Sequence, residues 1–134
     1  MKKPRLPATQ MKPAPDSASP ELFAALRELL LAYRSEVLVV HDEDGHFYAN
    51  CRKLDAKGKA QFFGAVKVSG RKHSFHFMPV YDFPELLAGL SPDLKKHMLG
   101  KSCFNFTSSD PAVLRELQGF VEQGASRYRA AGKL

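Results

Sequence analysis

The chain predicts an α+β fold: a two-layer sandwich in which an antiparallel sheet carries N- and C-terminal helices on one face. Three observations point there. A stretch near each end has an apolar stripe at helical spacing, short alternating segments lie between them, and tight glycine-bearing turns join those segments. Strands joined by tight turns run antiparallel. Two helices that each bury one stripe are most simply housed on the same side of the sheet. The other side is then open to solvent or to a partner.

Residues 1–19 are rich in Pro, Lys, Ala and Ser and show no periodic apolar face, so a disordered tail is expected, with residues 20–134 as a single domain. The tail has basic residues but no apolar run, unlike a secretory signal. The first helix opens with Ser19 as cap, Pro20 in the first turn and Glu21 at the positive end of the dipole. Leu22, Phe23, Leu26, Leu29, Leu30 and Tyr33 form its stripe, with Arg27, Glu28 and Arg34 away from it.

Residues 37–41 read as a strand, Asp42-Glu43-Asp44-Gly45 as a hairpin turn, and residues 46–51 as its return. In that return Phe47, Ala49 and Cys51 oppose His46, Tyr48 and Asn50. After a turn over residues 55–59, the next strand sets Phe62, Val66 and Val68 against Gln61, Phe63, Ala65 and Lys67. Gly70-Arg71 turns the chain into a strand in which Phe75 and Phe77 oppose Ser74, His76 and Met78. Residues 83–90 make an apolar loop or a turn of helix. A short helix follows, capped by Ser91, with Leu94, Met98 and Leu99 along one side and Gly100 as its stop. Residues 103–107 form the last strand, with Phe104 and Phe106 on one face. Ser109 or Asp110, then Pro111, open a long helix striped by Val113, Leu114, Leu117, Phe120, Val121 and Tyr128 and ended by Gly132.

Composition narrows the class. A hydrophobic share of 44% with 25% charged residues is that of a soluble globular domain, and no apolar run approaches the ~20 residues needed to span a bilayer. Cys51 and Cys103 are far apart and inside strand patterns, which reads as two free thiols in a reducing cytoplasm. The net charge of +6 is concentrated in the tail and in residues 52–72, where Arg52, Lys53, Lys57, Lys59, Lys67, Arg71 and Lys72 face Asp55 alone. Such a lobe attracts phosphate, nucleic acid or an acidic partner, and it also guards exposed strands.

Gly100-Lys101-Ser102 imitates the end of a phosphate-binding loop. The full motif needs a glycine where Lys95 stands, and it runs from strand to helix rather than from helix to strand. Here the triplet is a helix stop. His41 and His46 flank the acidic turn, so His41, Asp42, Asp44 and His46 are candidate ligands for a divalent ion. His73 and His76 fall on opposite faces and cannot chelate together. Cys103 lies opposite Phe104 and Phe106 and so faces the same side as His76.

HSFHFMPVY, FPELL, LSPDLKKHMLGKSCFNF and the closing helix with Tyr128 resemble the YdhG-like bacterial domains of unknown function, in the wider frataxin-like group. The resemblance covers roughly residues 21–132 in element order and is most specific at residues 100–106. It implies the same sandwich with a helix at each end of an antiparallel sheet. Some relatives are described as iron chaperones, with iron held by an acidic ridge on the first helix and strand. In this chain Glu21, Glu28 and Glu36 are interleaved with Arg27 and Arg34, and Asp42-Glu43-Asp44 is the nearest acidic cluster.

The function expected from all this is a small non-enzymatic, cytoplasmic binding module. Its working surface is the open sheet face, made of Tyr48, Asn50, Arg52, Phe63, Lys67, Ser74, His76, Met78 and Asn105. Its ligand is a small molecule or a protein, with a weak homodimer among the options. The alternatives are an iron or other metal carrier built on the hairpin, and nucleic-acid binding through the basic lobe by stacking on a sheet, although no RNP-type motif is present.

Overall fold

A computed structural model describes residues 20–134, so the expected tail and the Ser19 cap lie outside the described residues. Helix α1 spans Pro20–Leu31. Strands β1 (Val37–Glu43), β2 (His46–Cys51), β3 (Phe62–Ser69) and β4 (Lys72–Phe77) follow. Helix α2 is Met78–Asp82, a 3-10 turn covers Pro84–Gly89, and α3 is Pro92–Lys95; β5 (Cys103–Phe106) and α4 (Pro111–Ala130) close the chain. The five strands form one antiparallel sheet in the order β1-β2-β3-β4-β5, and α1 and α4 pack side by side on one face of it. The α+β sandwich expected from the sequence is therefore the observed fold.

The core sits between that face and the helices. Leu22, Leu26 and Leu30 come from α1, Phe47, Ala49, Phe75, Phe77, Phe104 and Phe106 from the sheet, and Val113, Leu117, Phe120, Val121 and Tyr128 from α4. Phe120 meets Phe77 and Phe104 with ring centroids 6.1 Å and 5.8 Å apart. Gly124 lets α4 lie this close, because a Cβ there would stand 2.3 Å from Phe77 Cε2. Asp110 is the α4 cap, accepting from the Ala112 amide at 3.1 Å, and Ser91 caps α3. Gly45, at φ 77°, supplies the left-handed turn between β1 and β2.

Three local expectations are overturned. The first is Phe63, which is fully buried on the helix side rather than on the open face. Register explains it: Ala49 pairs with Gly64 and Asn50 with Phe62, leaving Phe63 as an extra residue in a β-bulge. The bulge shifts the alternation by one residue, so Phe62 takes the open face and Phe63 enters the core beside Tyr33, Phe77 and Tyr128. Gly64 makes this fit possible, since a Cβ on it would come within 2.9 Å of Leu30 Cδ2.

The second is Met78. The strand ends at Phe77 and Met78 begins α2, with Pro79 following it, so Met78 packs against the core instead of lining the sheet. The third is the short helix, which stops at Lys95 rather than running to Gly100. Residues 97–99 leave the helix to bond the free edge of β5: Leu99 N–H donates to Cys103 at 2.8 Å and Asn105 N–H to His97 at 2.8 Å. Leu99 is consequently exposed, not part of the stripe.

Candidate functional site

The register places the open face in rows. Leu38, Asn50 and Phe62 form one; His41, Tyr48, Ala65, His76 and Cys103 form the next; Glu43, His46, Lys67, Ser74 and Asn105 form the third. Of the expected residues, Tyr48, Asn50, Lys67, Ser74, His76 and Asn105 are thus brought together on this face. Phe63 and Met78 are not. Arg52 lies just past the end of β2, exposed in the loop, where its amide donates to Glu36. Phe62, Leu38 and Glu43 join the face in their stead.

The β1–β3 side of the face is aromatic. Tyr48 and Phe62 have ring centroids 4.9 Å apart, and Tyr48 stands edge-on to His41 at 6.2 Å and to His46 at 6.5 Å. Leu38, 53% exposed, extends this strip to the rim of the sheet. The β4–β5 side is polar. Ser74 donates to Asn105 Oδ1 at 2.9 Å, and Cys103 Sγ lies 3.6 Å from His76 Nε2. Ala65, between Tyr48 and His76 in register, is buried, so the middle of the face is filled rather than hollow.

Burial pushes the Cys103 thiol up, against a smaller opposing effect of Ser74, and pushes His76 down. Both shifts favour the neutral thiol beside the neutral imidazole, which is not the ion pair of an activated nucleophile. Cys51 is in the core, its thiol raised to about 11 by burial. Both cysteines are free.

At the hairpin, His41 and His46 stack with centroids 4.8 Å apart. Their Nδ1 atoms lie 3.9 Å and 3.7 Å from Glu43 Oε1, and the three donor atoms are mutually within 4.8 Å. Two imidazoles and one carboxylate are a donor set suited to Zn²⁺ or Fe²⁺. Asp42 does not belong to this group. It points to the helix side, where Arg27 Nε and Nη2 each donate to its carboxylate at 2.7 Å. Asp44 lines a cleft of about 640 Å³ between the hairpin and α1. Alternation along β1 explains why Glu43 and not Asp42 joins the histidines, since Glu43 pairs with His46 while Asp42 pairs with the core residue Phe47.

The basic stretch of residues 52–72 is also redistributed. Arg52, Lys53, Lys57 and Lys59 lie in the loop before β3, and Arg71 and Lys72 at the turn after it. The eight residues of β3 separate the two groups by roughly 25 Å. Among the described residues, no helix is long and apolar enough to cross a membrane. Comparison with known proteins finds no matching protein-family model, no matching curated protein and no matching solved structure.

Proposed function

We propose that this chain is a non-catalytic binding module, acting in the cytoplasm, that docks an acidic protein surface on the open face of its sheet. The observation that supports it is the apolar and aromatic strip of Leu38, Tyr48 and Phe62, uncovered by either helix, with Asn50 set between Leu38 and Phe62 and Lys67 on the neighbouring strand position beyond Ala65. Aromatic centres within a polar, cationic rim are typical of contact surfaces. A face whose middle is filled suits a flat macromolecular partner better than an engulfed small molecule, which wants a concave site. The net charge of +6 favours an acidic partner. Membership of the YdhG-like group is part of the same proposal, supported by the residues quoted above and by the order of elements.

A photo-crosslinking residue at Tyr48 tests the reading. The captured partner, once purified, should bind the wild-type chain saturably and lose affinity with Phe62→Ser and with Lys67→Glu. Cross-links no different from those of a probe at Gln123 on α4, or capture of nucleic acid alone, would sink it.

The His41–Glu43–His46 cluster favours a second reading, a carrier of Zn²⁺ or Fe²⁺. Its three donors leave coordination positions open, as a labile site requires. Titration of tag-free protein with Zn²⁺ should shift the His41 and His46 ring signals first. Glu43→Gln should weaken binding and Asp44→Asn should not; equal loss in both would refute the assignment.

A further inference from the structure

The two edges of the sheet are treated differently. The outer side of β5 is occupied by residues 97–99, with a bridge between Met98 and Phe104. The outer side of β1 has no such cover: among the described residues, β1 pairs with β2 alone. An uncovered strand presents a row of free backbone donors and acceptors, and folds usually guard it with lysine, proline or a very short strand. β1 is seven residues long, VLVVHDE, with neither lysine nor proline. Its middle is apolar and exposed: Leu38 53%, Val39 36% and Val40 46%. Its guards are the acids Asp42 and Glu43 at the far end and a bulge at Val40, neither of which covers these side chains.

We infer that the outer edge of β1 is a self-association surface, on which two copies of this chain pair antiparallel about a two-fold axis and continue one sheet into the other. Charge selects the occupant and the direction. The far end of β1 carries Glu43 and Asp44, exposed, with Asp42 already neutralised by Arg27. The near end carries exposed Arg34, Arg52 and Lys53, and the single acid there, Glu36, is held by Arg129 at 2.7 Å. The Arg52 backbone is held at that end by its N–H, which donates to the Glu36 carbonyl at 3.2 Å. A two-fold axis near Val39 brings the acidic end of each strand to the basic end of the other, twice over. A parallel arrangement would set like charges together, at a cost. The interface is isologous and closes at two copies, because among the described residues each copy has one free edge and the β5 edge is blocked.

Sedimentation velocity of the full 134-residue chain over a concentration series tests this. The wild type should pass from monomer to dimer and go no further. Val39→Lys should weaken the dimer about tenfold or more, by placing like charges across the axis. Reversing one end, Glu43→Lys with Asp44→Lys, should also weaken it, and adding Arg52→Glu with Lys53→Glu should restore it. Phe62→Ser, on the open face away from this edge, should leave the dimer intact while removing the binding proposed above, so the two readings fail separately. A chain that stays monomeric into the millimolar range overturns the inference. So does a dimer that Phe62→Ser breaks and Val39→Lys spares, or a charge reversal that its counterpart does not rescue.

Discussion

Phe62 and Phe63 are neighbours in sequence with opposite fates, and substituting each in turn measures the bulge that separates them. Phe63 is fully buried, with ring centroids 5.5 Å from Phe77, 6.0 Å from Tyr33 and 6.4 Å from Tyr128. Truncating a buried phenylalanine costs about 3–5 kcal/mol, part lost transfer energy and part cavity. The cavity here is lined by three rings and by Leu30 over Gly64, which close in poorly, so the upper half of that range is expected for Phe63→Ala. In a domain of this size about 1 kcal/mol moves the melting temperature by roughly 3–5 °C, so the loss should be at least about 9 °C on this ~3 kcal/mol lower bound. Phe62 is half-buried and has one ring neighbour, Tyr48, so Phe62→Ser should cost about 0.5–1.5 kcal/mol. Urea unfolding followed by circular dichroism, with calorimetry for the melting temperature, gives both numbers on one protein. If Phe62→Ser proves the more damaging of the two, β3 is slipped by one residue and every face assignment on it reverses.

Gly124→Ala should destabilise by about 1–3 kcal/mol despite favouring the helix, because its Cβ would land 2.3 Å from Phe77 Cε2; urea midpoints check it, and a stabilised variant would mean α4 stands off the sheet. Arg27 lowers the carboxyl pKa of Asp42 and Arg129 that of Glu36, chiefly by hydrogen bonding. Each contributes stability that is full above the unfolded carboxyl value of about 4 and lost as pH falls through the lower folded value. Asp42→Asn should therefore flatten the acid limb of a stability–pH curve, by no more than about 1 kcal/mol because the pair is exposed, and less at high salt; an unchanged limb would show the pair is idle. Thiol labelling of the folded protein at neutral pH should modify Cys103 slowly and leave Cys51 untouched until unfolding, since burial raises both thiols and Cys51 is in the core; fast Cys51 labelling would contradict the packing of β2.

Much of the architecture was legible because it is written in local chemistry. The stripe of α1, the Asp110-Pro111 start of α4, the Ser91 cap and the glycine turns at 45 and 70 each follow from a few adjacent residues, and each stands where expected. So does the alternation of β2 and β4, which put Tyr48, Asn50, Ser74 and His76 on the open face without further help. For β3 the sequence held one overlooked signal, the pair Phe62-Phe63 followed by Gly64. Two adjacent large aromatics beside a glycine cannot both obey a strict period of two in a half-buried strand.

The chain by itself determined its elements, their order and the existence of an open face, because propensity, capping and periodicity act over a few residues. Tertiary structure decided what those elements offer. The β2–β3 register chose Phe62 over Phe63 for the surface, and α1 drew Asp42 to Arg27, leaving Glu43 to the two histidines. Residues 97–99 left their helix and partner the outer edge of β5, while among the described residues the outer edge of β1 has no partner. These outcomes turn on backbone groups and charges that meet only after folding, and whose energies depend on which segment arrives opposite. A pattern read along one strand carries no record of its neighbour.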